Sequence, residues 1–457
     1  MALMFLLLIS CAIQPPPRQI AGVARFFPAQ GAGGVCTDAP LKINFSSPPT
    51  LGSGKIEIFD AADHSLAASI DVSEKTRTRT IGGVTNYKYY PILISGNEVS
   101  IHPAAQLGYG KSYYVKIDAT AFKSQSGEFV GIQDAGGWPF STKRNPPAAD
   151  APRLMVAADG SGDFCTVQGA FDFIPAGNTR PTTVFIRKGV YTEMDCLLNK
   201  NSVTVLGEDR KQTIIQYADN AVFNPSGSPY RRGMFLGQHC NDLTIANLTM
   251  RNTTPYRGSQ AETLILNGTT TAHAIVTDVD LYSFQDTLQI NGQAYIRNSY
   301  IEGDVDFLWG TGPCFFENCT CRSVHSKAYY TQIRNPATNH GYVFLHCTFD
   351  GTTGVNGNFL SRIEPMRFPA SEVVLIDCVE TESVGAIAWR LDRGTDPAKI
   401  QFWEYNSHTP DGKPVDVAER AAFSKQLKQP EDAKAIADYS SAAFVLGGWE
   451  PKAPELK

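Results

Sequence analysis

Apolar and polar residues alternate in short runs along most of this chain, and the spacing of the runs changes part way through. In the first third, Leu41-Lys42-Ile43-Asn44-Phe45, Lys55-Ile56-Glu57-Ile58-Phe59 and Tyr113-Tyr114-Val115-Lys116-Ile117 read as short strands, with turn clusters such as Gly52-Ser53-Gly54 between them. About a hundred residues of such strands predict a β-sandwich. The polar stretch Lys143-Arg144-Asn145-Pro146-Pro147-Ala148-Ala149-Asp150 reads as a linker. Beyond it a short pattern recurs: Ala246-Asn247-Leu248, Thr277-Asp278-Val279, Arg297-Asn298-Ser299, Glu317-Asn318-Cys319, Leu345-His346-Cys347 and Ile376-Asp377-Cys378. Its central residues fall at 247, 278, 298, 318, 346 and 377, in steps of 31, 20, 20, 28 and 31. Strand-like runs at such intervals, with no helical period between them, predict a solenoid, because one coil cannot bury its inward face without a neighbour. The expected fold class is therefore all-β. It comprises a right-handed parallel β-helix preceded by a small sandwich, with Cys319, Cys347 and Cys378 as one inward column. A short helical period at residues 164–171 is expected to cap the open end, and Gly160-Ser161-Gly162 before it is a turn, since no third glycine or βαβ unit follows.

Composition narrows the function classes. Of 457 residues, 42% are hydrophobic and 19% charged, which excludes wholesale disorder. Forty basic against 45 acidic side chains give a net charge of -5, which argues against a nucleic-acid partner. The ten cysteines show no zinc-ligand spacing and are expected to be buried thiols. At the N-terminus, the apolar run 1–10 ends at Cys11 and is followed by Gln14-Pro15-Pro16-Pro17, too short to span a bilayer and shaped like an export signal. Leu8-Ile9-Ser10-Cys11 resembles a bacterial lipoprotein signal with Cys11 as the lipidated residue, a plain secretory signal being the alternative. The expected location is the outer membrane or cell surface by lipid-anchored membrane association, otherwise the periplasm or the medium, with the protein acting as a monomer. Expected divisions are 1–35 signal and tether, 36–143 sandwich, 144–152 linker and 153–457 β-helix.

One spacing carries chemistry. Asp286, in Ser283-Phe284-Gln285-Asp286-Thr287-Leu288, and Asp306, in Asp304-Val305-Asp306-Phe307-Leu308-Trp309-Gly310, lie 20 residues apart, the same step as the coils at 278, 298 and 318. Equivalent positions on successive coils sit about 4.8 Å apart. Two carboxylates at that separation are not both comfortably ionised, so one is pushed toward an acid and the other toward a nucleophile or base. Accidental register of surface aspartates is the alternative reading. An inverting glycosidase needs about 6.5–9.5 Å between its carboxyls, more than adjacent coils give. No Gly-x-Ser-x-Gly elbow is present for serine chemistry.

With these boxes, Val156-Ala157-Ala158-Asp159-Gly160-Ser161-Gly162-Asp163-Phe164, Ile186-Arg187-Lys188-Gly189-Val190-Tyr191 and Val445-Leu446-Gly447-Gly448-Trp449, the chain from Met155 onward resembles the pectin methylesterase (pectinesterase) family of carbohydrate esterases. Residues 97–127 resemble bacterial Ig-like modules. The resemblance implies Asp306 as nucleophile, Asp286 as acid and then base, and Gln260 and Gln285 as donors to the oxyanion. It also implies Arg362 as the cation that orients the nucleophile, with no metal or organic cofactor. Phe284, Phe307, Trp309 and Trp389 are implied sugar contacts, interior stacking being the alternative, favoured for Phe284 and Phe307. Gln332 and Arg334 resemble a further patch, structural or lining the groove. The family pattern has Gly before the arginine and Pro-Trp after it, where this chain has Ser361-Arg362-Ile363-Glu364. The implied reaction is hydrolysis of methyl esters on galacturonate units of pectin or oligogalacturonides. That departure keeps open a non-pectin acyl ester or thioester as substrate; a non-catalytic polysaccharide-binding surface protein is the further alternative.

Overall fold

In the computed structural model the described residues are 19–454, apart from 105, 125–128, 226, 228–230, 270, 395 and 398. Cys11 lies outside them. The described residues form two compact units, one of residues 19–77 and 90–145, the other of residues 78–89 and 146–454.

The first unit contains a four-stranded and a five-stranded sheet, antiparallel but for one pair, Pro139–Thr142 with Ala32–Val35. The three strands expected from alternation are present as Leu41–Phe45, Lys55–Asp60 and Ser112–Ile117. Leu41–Phe45 buries every second side chain, as period-two patterning requires. The boundary expected at residue 36 is corrected: Val23–Phe27 and Ala32–Val35 are already strands of the two sheets, so the sandwich begins upstream. Residues 78–89 also depart from the expected division. They form most of a hairpin that belongs to the second unit, where the Lys88 amide donates to Asn224 Oδ1 at 2.8 Å.

The second unit is a parallel β-helix. Among the described residues its strands form three parallel sheets of eleven, eight and eight, each strand pairing with the equivalent strand of the next coil. Chain register follows the spacing read from the sequence: Thr277 pairs with Arg297 and Arg297 with Glu317, in 20-residue steps. The recurring central residues explain themselves here. Asn247, Asp278, Asn298, Asn318, His346 and Asp377 all have φ between 49° and 58°, and so does Asn406 at 53°. Each of the six at 247, 278, 298, 318, 346 and 377 is the corner between a strand of the eleven-stranded sheet and the following strand of an eight-stranded one. The left-handed conformation is open to Asn and Asp because their short polar side chains bond locally. The corner amides point along the solenoid axis, Asn298 N to Glu317 O at 3.0 Å and Asn318 N to Leu345 O at 3.1 Å, so the turns are stitched coil to coil. The residue after each corner points inward, and Leu248, Val279, Ser299, Cys319, Cys347 and Cys378 are all buried. The nine described cysteines are free thiols, as expected.

The expected helix is Val167–Phe173. Thr166 caps it by accepting from the Gly169 amide at 3.0 Å, and its buried face packs on the first coil. At the far end, Ala433–Tyr439 and Ala442–Val445 set Ile436, Tyr439 and Val445 against Tyr295, Phe315 and Val343 of the long sheet. No helix among the described residues is long and apolar enough to cross a membrane.

Candidate active site

Asp286 and Asp306 sit where two successive coils enter the third sheet, ahead of and within the strands Leu288–Ile290 and Val305–Gly310. Those strands pair Leu288 with Leu308 and Gln289 with Trp309, so two residues upstream the aspartates are adjacent in register. The Asp286 amide also donates to Val305 O at 3.1 Å. Both aspartates have positive φ, 66° and 50°, unlike ordinary strand residues. At Asp306 the pairing with the next strand slips between Val305 and Leu308. Such a bulge re-aims a side chain that would otherwise follow the pleat. Gly303 makes this turn possible: a Cβ there would lie 2.2 Å from Phe307 Cβ and 2.7 Å from Phe284 O.

Neighbouring coils fix the turn. Ser283 Oγ donates to Ala261 O at 2.7 Å and Thr287 Oγ1 to Glu302 O at 2.8 Å. The Ala261 amide donates to Gln285 O at 3.1 Å, which locks the Gln260 loop to the Gln285 turn. Both glutamines are half-buried, and Gln285 lines a cleft of about 290 Å³. Gln260 Oε1 accepts from its neighbour Ser259 Oγ at 3.3 Å. Among the described residues the Gln260 amide nitrogen has no hydrogen-bond partner.

Electrostatics separate the two carboxylates. Arg362, in the strand Phe359–Ile363, grips Asp306 with two bonds, Nε to Oδ1 at 2.9 Å and Nη2 to Oδ2 at 2.6 Å. Its third nitrogen reaches Asp392 at 3.3 Å, and its guanidinium lies 4.3 Å from the centre of the Tyr329 ring. Burial pushes the Asp306 carboxyl up, while Arg362 first and Arg334 next pull it down. Burial pushes Asp286 up much further, helped by the charges of Glu262 and Asp306; Arg232 and Arg334 oppose. Arg232 Nη2 meets Asp286 Oδ2 at 3.0 Å and also pairs with Glu262. The site thus holds one carboxylate clamped by a bidentate guanidinium and, on the adjacent coil, a buried carboxyl that favours its proton.

Around this pair the sequence expectations divide. Trp309 is nearly buried, with Arg334 at 4.8 Å and Arg232 at 5.1 Å from its ring centre. Arg334 is held by Gln332, Nε to Oε1 at 2.8 Å, so that patch acts on the aspartates through charge. Phe284 lines the cleft, beside Tyr256 and His325. Phe307 is fully buried against Tyr330 inside the solenoid, so the implied sugar contact gives way to the interior stacking favoured for it. Trp389 is corrected too. It is 1% exposed, stacks on Phe402, and donates its indole N–H to Glu404 Oε1 at 2.7 Å, so its ring is part of the core. Sequence reasoning missed Arg232, Glu262 and the cleft residues Tyr256, Arg257, His325 and Lys327. Glu262 left a signal, a charged residue at the start of the buried run Thr263–Leu266. The others sit in irregular loops with no periodicity to mark them.

A parallel β-helix that places an arginine-clamped carboxylate beside a buried carboxyl defines the class of aspartate-based ester hydrolases built on this fold. The chain belongs to the pectinesterase family, whose model, described as Pectinesterase, matches residues 153–448. A second model, described as a bacterial Ig-like domain, matches residues 19–142. Similar relatives include pectinesterase 1 of Olea europaea, 29% identical over 62% of this chain and 76% of its own length. Pectinesterase 31 of Arabidopsis thaliana is 26% identical over 61% of this chain and 88% of its own. Among solved structures, the carrot pectin methylesterase superposes with a TM-score of 0.56 at 20% identity, covering 67% of this chain and 95% of its own. The pectin methylesterase of Erwinia chrysanthemi gives 0.54 at 22%, covering 66% and 98%. At these identities the structural likeness speaks for the fold.

Proposed function

We propose that the protein hydrolyses methyl esters on galacturonate units of pectin or its fragments, with Asp306 as nucleophile and Asp286 as the proton donor. The observation that carries this reading is the difference between the two neighbours. Arg362 holds Asp306 with two charge-assisted bonds, whereas Asp286 shares a single Arg232 nitrogen with Glu262, and its carboxyl is pushed well above the ordinary aspartate range by burial first and the charge of Glu262 next. An Asp306 oxygen attacks the ester carbonyl carbon, and the bond from that carbon to the methoxy oxygen breaks. The Asp286 proton goes to the departing methanol. Water cleaves the resulting anhydride at the substrate carbonyl, giving one proton back to Asp286 and restoring ionised Asp306; the released galacturonic acid passes the other proton to solvent and leaves as the carboxylate. Gln260 and Gln285 serve as donors to the tetrahedral oxyanion in this reading, which the position of Gln285 on the cleft supports, a contribution of about 2.7–4 kcal/mol per donor where one has been removed. The cleft beside Gln285, with the aromatic Tyr256 and Phe284 and the basic Arg257 and Lys327, suits an acidic sugar chain. Asp306→Ala is expected to lower methanol release from methyl-esterified oligogalacturonides by on the order of 10⁴–10⁶-fold while the variant still unfolds in one cooperative transition. Turnover at the wild-type rate would sink the assignment.

The same proposal sets the enzyme outside the cytoplasm as a monomer tethered through lipid on Cys11, a reading supported by the sequence Leu8-Ile9-Ser10-Cys11. Expression with a labelled fatty acid is expected to mark the wild-type protein and not Cys11→Ala; equal labelling of both would refute the anchor.

A further inference from the structure

The buried pair formed by Arg232 and Glu262 does no work in the chemistry just described, yet it touches the proton donor. Glu262 is completely buried at the head of the strand Leu264–Asn267. Its carbonyl accepts from the Met234 amide of the preceding coil at 2.9 Å and from Asn252 Nδ2 of its own coil at 3.0 Å, so the backbone carrying it is fixed from two sides. Its carboxylate pairs with Arg232, whose Nη2 also lies 3.0 Å from Asp286 Oδ2. Stability is a poor reason for such a pair, since apolar residues of similar volume often serve a buried position as well or better.

A guanidinium giving Asp286 two nitrogens, as Arg362 gives Asp306, would favour its ionised form. Asp286 would then have no proton to give. We propose that Glu262 is a positioning residue which, by dividing the charge of Arg232, leaves Asp286 able to serve as the proton donor. This rests on the role given to Asp286 above. The groups facing Asp286 are Glu262 and Arg232 from the preceding coils, Asp306 from the following one, and Arg334. Glu262 in turn faces Arg232 and Asp219, and burial holds its own carboxyl above the usual carboxylate range.

The sign follows from these charges. Removing the negative charge of Glu262 lowers the pKa of Asp286, so the donor is lost at lower pH and the alkaline limb of the kcat/KM profile moves down. Glu262→Gln is expected to move that limb down by roughly one pH unit or more and to leave the acidic limb in place. Arg232→Gln is expected to move it up, and Arg232→Lys to keep it near the wild-type position. Should Glu262→Gln lower the melting temperature, Glu262→Leu, also uncharged, is expected to give the same downward shift. Variants that lose kcat at every pH with both limbs unmoved would reduce the pair to a structural one and overturn the inference.

A readout without substrate separates this from the proposed reaction. The carbonyl stretch of the protonated Asp286 carboxyl, assigned by its loss in Asp286→Asn, is expected to disappear at lower pH in Glu262→Gln than in wild type. If that band shifts while wild type releases no methanol, the reaction is wrong and the charge-sharing pair stands. If methanol is released and the band does not shift, the pair is wrong and the reaction stands.

Discussion

The two sides of the catalytic pair are built on the same plan and end in different chemistry. Arg362 lies two strands beyond Asp306 in the third sheet, and Arg232 precedes the strand two before that of Asp286. Each arginine reaches over one intervening coil to its aspartate. What that coil presents differs. On the Asp306 side it is the face of Tyr329, which supports the guanidinium without competing for its protons. On the Asp286 side it is Glu262, a second claimant for the same cation. Both carboxyls are buried, so burial does not decide which one ionises. What differs is how the cation is shared: Arg362 gives Asp306 two nitrogens and turns the third to Asp392, whereas Arg232 offers Glu262 and Asp286 the same Nη2.

That comparison is broken most severely by Arg362→Ala. With its clamp gone, the pKa of Asp306 rises, so the nucleophile is ionised only at higher pH. The acidic limb of kcat/KM is expected to move up by about one to three pH units, with a loss of 10²-fold or more at neutral pH. An unmoved acidic limb would mean that Asp306 does not depend on Arg362. A finer test is Tyr329→Leu, which removes the platform but leaves the clamp. It is expected to move the same limb up by roughly half a pH unit, the size of one cation–π contact of about 0.5–1 kcal/mol. A shift as large as that of Arg362→Ala would show the platform, rather than the clamp, to be what holds Asp306.

Much of this was legible in the chain, because a solenoid writes its geometry into spacing. The 20-residue step between Asp286 and Asp306 equals that of the paired corners Asp278 and Asn298, so adjacency could be deduced without coordinates. What made those corners recur, the left-handed backbone at Asn and Asp, was visible as a pattern but not as its cause. The sugar contact implied for Trp389 fails, as does the one for Phe307, where interior stacking was already favoured, because resemblance gives the position of a ring in the sequence and says little of which way it faces. The inside-or-outside choice is made by the strand, and both rings turned in. Arg232 was illegible because it stands in a loop whose partners, Glu262 and Asp286, are 30 and 54 residues away along the chain. No periodic signal connects such residues; only the winding of the coils brings them together.

The corner turns have a consequence for how this architecture changes length. Each coil closes its own bend and hydrogen-bonds to the next, so a duplicated rung fits into the stack without disturbing those on either side. Added before Arg232 or after Asp392, it would extend the groove by about 4.8 Å and leave the catalytic group whole. Placed between the two aspartates, one extra rung would double their separation. The family fold is thus free to grow at its ends and frozen at its middle.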